Sequence, residues 1–365
     1  MSKNKHYRRA TAMLPEVYNY KLLFRRPFWG FFKDEVTVKN KEYFHKSLII
    51  SIFAVYFLIF VGGLVRSTGA GMGCPDWPKC FGQWVPPVEK SELPSNYKEI
   101  FKVQGKEIAD FNAFKTWTEY INRLIGVIIG FCVLAVFITS FSYLKERKEI
   151  PILSFFTLIV LGFQGWLGAV VVSTNLAQWM ITIHMLVAFF IVFLLFYLLH
   201  RAKLYKLHQA FNLTLEESRP SWSSAEKLVL ITLVITLIQV ILGTQTREEV
   251  NLVQTTLPLL SRDEWPNHLG TFFTIHRSFS IVVLSFHIGL FFYLKNKVLQ
   301  EEAFFNKALL YTVSLEVASG IGMAYFGIPA YLQPIHLLLA SFMVGFLFYL
   351  SLSIPYQHLK KKSLK

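Results

Sequence analysis

Leu48-Ile49-Ile50-Ser51-Ile52-Phe53-Ala54-Val55-Tyr56-Phe57-Leu58-Ile59-Phe60-Val61-Gly62-Gly63-Leu64-Val65-Arg66 carries no charge until its last residue. A helix needs about 20 mostly apolar residues to cross the hydrocarbon layer of a bilayer, and this stretch supplies them. Seven more of the same kind follow, at approximately 118–144, 151–173, 179–199, 227–246, 271–294, 307–328 and 331–354. None looks like a short, cleavable signal segment. The chain therefore reads as an all-α integral membrane protein with eight transmembrane helices.

Composition agrees. Of 365 residues, 53% are hydrophobic, 16% aromatic and 16% charged, with a mean hydropathy of +0.43. A soluble domain carries about 25% charged residues. A soluble globular enzyme, a disordered chain, a disulfide-rich secreted module and a nucleic-acid binder on a polar scaffold are all excluded. The net charge of +14 is a topology signal instead. With the N-terminus inside, the inside segments hold 26 of the 37 Lys and Arg residues and the two long outside segments, 67–117 and 247–270, hold 8. Arg66, Arg123 and Arg277 lie at or just inside helix ends. Lys and Arg collect on the cytoplasmic side, so both termini are expected there, with the basic segments near anionic lipid heads. The expected location is a bacterial inner membrane. The tail stretch Leu22–Phe32 mixes aromatics with arginines, which suits a membrane interface as well as a poorly ordered tail.

Cys74 and Cys80 bracket Pro75-Asp76-Trp77-Pro78-Lys79 in the first outside segment. Two prolines can fold these residues back, and an oxidising outside compartment would favour a disulfide; two free thiols are the alternative. No second Cys or His pair lies near enough for zinc. Cys132 sits inside the second stretch and reads as a small packing residue.

The chain repeats. Arg123 and Arg277 align at an offset of 154 residues, as do Gly168 and Gly322, whereas His184 and His336 align at 152. Gly63–Arg66 and Gly243–Arg247 end the first and fifth stretches. Two four-helix units result, a parallel repeat of two bundles about an axis along the membrane normal. The implied division is a tail 1–47, a first half 48–201, a cytoplasmic linker 202–226, a second half 227–354 and a basic tail 355–365.

Ionisable residues inside a bilayer are a functional hypothesis by default. His184, His276 and His336 each lie about five residues from the outer end of their stretch, some 8 Å in. Asn122 holds the fourth equivalent position. Two histidines at matched depth on different helices are how a bundle holds a haem iron from both faces. Gly162, Gly165, Gly168, Ser319, Gly320 and Gly322 would make room for the ring. Each histidine taken alone could equally be a hydrogen-bonded packing residue.

The halves differ. Glu119, Asn122, Arg123 and Gly126 share one helix face, where the second half has Phe273, His276, Arg277 and Ser280. A bis-histidine iron suits electron transfer. An iron with one protein ligand can accept an oxygen ligand, and a nearby glutamate can handle protons. The first half is therefore expected to be catalytic, through Glu119, and the second to hold a fixed redox haem. Arg123 and Arg277 are candidates for haem propionates, or for interfacial anchoring. Glu316, with Gly162 at the aligned position, and the deeper His287 could form a proton-carrying or structural pair; the favoured alternative is a Glu316 that is protonated or bonded to a nearby hydroxyl.

The stretch from Gly62-Gly63-Leu64-Val65-Arg66-Ser67-Thr68-Gly69 through Cys74-Pro75-Asp76-Trp77-Pro78-Lys79-Cys80-Phe81-Gly82 resembles the first-helix and loop motif of the haem A synthases. Glu119–Arg123 resembles that family's Glu-x-x-His-Arg motif, and His184, His276-Arg277 and His336 its other histidine positions. The resemblance covers nearly all of residues 48–354 and implies oxidation of the C8 methyl of haem O to the formyl of haem A for terminal oxidases. It further implies haem O as substrate in the first half, haem b in the second, Glu119 as the essential carboxylate and Cys74/Cys80 as the outer-loop pair. Haem O synthase and the terminal oxidase assembly are the implied partners, with membrane lipid around the chain and no nucleic acid; a homo-oligomer is left open. The chain departs from the motif at Asn122, and an amide is a poor iron ligand. The favoured reading has His184 alone on the substrate iron, with Asn122 orienting a water or a haem substituent. A substitute ligand such as His268, or lost activity, are the alternatives. Two other functions remain: a di-haem cytochrome b, which would want two complete histidine pairs, and a haem carrier or assembly factor, which would need no Glu119.

Overall fold

The computed structural model describes the backbone of residues 28–211 and 223–356, with side chains over 40–206 and 223–355. Nine α-helices lie within these residues: α1 Phe28–Ser67, the single turn α2 Tyr97–Ile100, α3 Ala113–Ser140, α4 Glu149–Ser173, α5 Gln178–Phe211, α6 Ser224–Thr256, α7 Thr271–Leu294, α8 Gln300–Tyr325 and α9 Leu332–Ser353. All except α2 contain a segment long and apolar enough to cross a membrane. Among the described residues, β-structure is limited to the isolated bridges Cys80–Gln83 and Val103–Lys106.

Several helices outrun the apolar stretches that announce them. Hydropathy marks where the hydrocarbon layer is crossed; a helix goes on until a breaker or cap stops it. No proline falls between Phe28 and Ser67, and α1 is helical well before Leu48, with Glu42 and Lys46 paired at 2.7 Å one turn apart. Residues 28–47 are thus helical and continuous with the first span. α3 starts at Ala113, where the Asn112 side chain accepts from the Lys115 N–H. α6 opens on a capping box of Ser223 and Glu226 and runs to Thr256, past the polar residues that end its apolar stretch. Most of Leu22–Phe32, most of the 202–226 linker beyond α5 and residues 357–365 lie outside the described residues.

α1 packs on α3, α3 on α4, α4 on α5 and α5 back on α1; α6 packs on α7, α7 on α8, α8 on α9 and α9 back on α6. α9 also packs on α1 and α5. The seam is close because Gly345 is bare: a Cβ there would collide with the Tyr56 hydroxyl. Phe193 and Phe348 stack across the same seam at 4.2 Å. Large apolar side chains such as Phe53, Phe131, Ile152 and Phe292 face outward, as a lipid-solvated surface requires.

The segment between α1 and α3 folds back over one end of the helices. Cys74 and Cys80 are joined by a disulfide, and Cys132 is a free, half-buried thiol. Asp76 Oδ1 and Oδ2 accept from the N–H groups of Phe81 and Gly82 at 2.6 and 2.8 Å. Gly82 has φ +74°, a conformation that favours glycine. Phe81 packs edge-on against Tyr97, Phe101 and Phe111. At the rim, Lys98 and Asp110 pair at 2.8 Å, and the Lys98 hydrogen bond holds the Asp110 carboxyl below its ordinary range.

Candidate functional site

Glu119 is buried on α3 beneath this disulfide loop. Its Oε2 accepts the Cys74 N–H at 2.8 Å, and its Oε1 accepts from Arg123 at 2.6 Å. Arg123 also donates to the carbonyls of Cys74, Asp76 and Lys79 at 2.9, 2.7 and 3.0 Å. Thr116 adds a bond to the Gly73 carbonyl, and Gly73 lies so close to α3 that a Cβ would strike the Lys115 backbone. The donors of Arg123, a candidate for haem propionates, are thus spent on the loop and on Glu119.

The four candidate ligand positions share one construction. Each faces a glycine on a neighbouring helix: Asn122 (α3) faces Gly62 of α1, His184 (α5) faces Gly168 of α4, His276 (α7) faces Gly243 of α6 and His336 (α9) faces Gly320 of α8. A Cβ on these glycines would stand 4.0 Å from Asn122 Oδ1 and 3.5, 3.1 and 3.4 Å from the Cε1 atoms of the three rings. Gly62, Gly168 and Gly320 each lie five residues before the last residue of their helix, Ser67, Ser173 and Tyr325, whereas α6 runs on thirteen residues past Gly243.

One turn before each glycine stands a second contributor. Gln164 donates to the His184 carbonyl at 2.9 Å, and Gln239 donates to the His276 carbonyl at 2.9 Å. Glu316 reaches His336 Nε2 at 3.2 Å. The fourth equivalent is Leu58. Gln164 and Gln239 were missed in the sequence reading, although the repeated Gln-x-x-Leu-Gly of 164–168 and 239–243 was there to be seen. Two expectations are corrected. The structural counterpart of Glu316 is Gln164, not Gly162, because Gly168 corresponds to Gly320 and not to Gly322; the third and seventh spans align at the same offset as His184 and His336. Glu316 is partnered with His336 rather than with His287, whose Nδ1 meets the Val283 carbonyl at 2.9 Å.

His276 and His336 come together, their ring centres 6.3 Å apart and their planes at 72°. Two metal–imidazole bonds of about 2 Å each, with the path from nitrogen to ring centre on both sides, span about that distance. The Nδ1 atoms of His184 and His276 are buried without hydrogen-bond partners. Ser319 donates to the Glu316 carbonyl at 2.8 Å and so accepts from His336 Nδ1 at 2.8 Å. With Ser319 on Nδ1, Nε2 is the nitrogen that would face a metal, and the Glu316 carboxyl 3.2 Å from it would have to give it up. The donor set and the glycine cradle therefore fit a haem iron between His276 and His336.

The first half fits a different arrangement. Asn122 Oδ1 is buried and unpartnered, and both polar contributors of its quarter are changed, histidine to Asn122 and the amide to Leu58. His268 is exposed at the end of the 3-10 segment Arg262–His268. Arg277 is exposed, its guanidinium 5.5 Å from the Phe273 ring centre.

Comparison with known proteins is consistent along the chain. The family described as cytochrome oxidase assembly protein, COX15-CtaA, matches residues 45–348. A heme A synthase of Shewanella oneidensis is 26% identical over 257 residues, covering 69% of this chain and 73% of the relative. A heme A synthase of Flavobacterium psychrophilum is 25% identical over 345 residues, covering 84% of this chain and 97% of the relative.

Proposed function

The chain belongs to the COX15-CtaA family of cytochrome oxidase assembly proteins, and we propose that it is a haem A synthase, oxidising the C8 methyl of haem O to the formyl of haem A. The observation that carries this reading is the unequal pair of sites. One has two facing histidines; the other has His184, Asn122 and, one turn from Asn122, the buried carboxylate of Glu119. A di-haem electron carrier would want both pairs complete, and the paired change at Asn122 and Leu58 argues against that.

His276 and His336 would hold haem b, with Gly243 and Gly320 admitting the ring and Ser319 orienting His336. Bound there, haem b supplies one-electron redox chemistry. His184 would hold the iron of the substrate, haem O, with Gly168 behind it. Asn122 would hydrogen-bond a water or a substituent of the substrate. Turning a methyl into a formyl with oxygen from water releases four protons and four electrons, and the electrons would have to pass on to an external electron acceptor. Glu119 is the acid–base group that would pass on those protons one at a time, and Arg123 and the Cys74 N–H hold its carboxylate in place. The disulfide loop closes the site from above. In this reading residues 48–201 form the substrate half and 227–354 the haem b half, both termini face the cytoplasm of a bacterial inner membrane, and the product is destined for terminal oxidase.

The test is expression in cells that make haem O but lack their own haem A synthase. Haem A is expected to accumulate with the wild-type chain. Glu119→Gln is expected to leave haem O unconverted while the protein keeps its haem b. Absence of haem A with the wild-type chain, in protein that is folded and in the membrane, contradicts the proposal.

A further inference from the structure

Arg66 and Arg247 meet where the two halves join. Arg66 is one residue from the end of α1, and Arg247 lies in α6. Each stands four residues beyond a backing glycine, Gly62 or Gly243. Four residues are one helical turn, so each arginine is on the face of its glycine and about 6 Å farther toward the loop end. Arg247 donates to the Arg66 carbonyl at 3.4 Å. Arg66 Nη2 is buried with no hydrogen-bond partner, and Glu248 stands 3.9 Å from it. The charges acting on Arg247 are Arg66, Glu248 and Arg262. Arg66 and Arg247 thus lie against each other with one carboxylate, Glu248, in reach of Arg66, and Glu248 also accepts from Asn251 at 3.1 Å. Like charges gathered away from water are costly unless anions join them.

Each arginine is placed over a candidate haem position, and a haem carries two propionate carboxylates on one edge. The other candidates for that edge are unsuited: Arg123 is spent on the loop, and Arg277 is exposed above Phe273. We propose that Arg66 and Arg247 form a carboxylate-binding site at the seam. Arg247 takes a propionate of the haem held by His276 and His336, and Arg66 a propionate of the substrate haem beside Asn122. This assignment rests on the haem reading above.

The test uses the full chain, purified in detergent and freed of haem. It is titrated with ferric protoporphyrin IX and, separately, with its dimethyl ester, which lacks the two carboxylate charges; binding is read from the Soret band. The wild-type protein is expected to prefer the free acid by about tenfold or more. Arg247→Gln is expected to lose that preference at the His276/His336 site, read from its bis-histidine low-spin Soret band, while the site beside Asn122, served by Arg66, keeps it. Arg247→Met keeps the packing of the side-chain stem and serves where the Gln variant does not fold. A wild-type protein with no preference overturns the proposal, as does a variant that weakens both forms equally while keeping the preference. An anionic-lipid site, seen as stabilisation by phosphatidylglycerol over phosphatidylcholine that Arg247→Gln abolishes without a change in haem preference, also overturns it. Failure of the underlying reading looks different: the wild-type protein gives no Soret shift with either porphyrin, or His276→Ala binds as the wild type does.

Discussion

Glu119 and Arg123 stand one turn apart on α3 and meet at 2.6 Å, and the guanidinium that holds the carboxylate also holds three carbonyls of the disulfide loop. The proposed acid–base group and the loop above it are therefore one hydrogen-bonded unit.

Removing Arg123 acts on both parts. Arg123→Gln leaves a buried carboxylate without its partner and is expected to cost about 3 kcal/mol or more, with the loop at 67–112 becoming sensitive to protease. Glu119→Gln keeps an oxygen to accept the Cys74 N–H, so its loop is expected to stay protected while haem A formation falls at least a hundredfold. Limited proteolysis beside haem chromatography separates the two. Equal proteolysis of the two variants contradicts this division of labour.

The glycine cradle predicts a position-specific loss. Gly243→Val puts side-chain carbons into the space of the His276 ring, where a Cβ alone would already be 3.1 Å from Cε1. Haem b content is expected to drop severalfold or more while helicity persists. Gly289 has nothing within 4 Å of its Cβ position, and Gly289→Val is expected to keep its haem. Loss of haem b in both variants would show that the cradle is not what matters.

Asn122→His restores the missing ring opposite His184. The Cβ position of Gly62 is 4.0 Å from Asn122 Oδ1, so a ring can be accommodated. The variant is expected to retain haem O more tightly, with a second bis-histidine low-spin signal in electron paramagnetic resonance, and to turn over more slowly. A spectrum identical to that of the wild-type protein would separate Asn122 from the iron.

Thiol labelling tests the loop. In denatured, unreduced protein only Cys132 is expected to react with maleimide, and all three cysteines after reduction. Cys74→Ala with Cys80→Ala is expected to lower stability by about 2 kcal/mol, read by thermal unfolding.

Eight spans were legible in the sequence because lipid demands long apolar helices, and Leu48–Val65 meets that demand without interruption. Helix ends were not, because α1 and α6 continue through polar residues that hydropathy discards. His184, His276 and His336 stood out as ionisable residues in apolar surroundings. Gln164 and Gln239 did not, since a neutral amide is no surprise in an apolar helix; only their shared Gln-x-x-Leu-Gly setting marks them. Arg123 was placed on the right face, but its acceptors are carbonyls of Cys74, Asp76 and Lys79, more than forty residues away in the chain. The register of Glu316 was off by two because a single offset was carried through helices whose connecting turns differ in length.

The division into a substrate site on His184 and a haem b site on His276 and His336 is tested most directly by chromatography of the haems bound to purified protein from cells that make haem O. The wild-type chain is expected to carry haem b together with haem O or haem A. His276→Ala is expected to lose haem b and keep the other haem, and His184→Ala to do the reverse. Loss of the same haem from both variants, or haem b alone in the wild-type chain, would contradict the account.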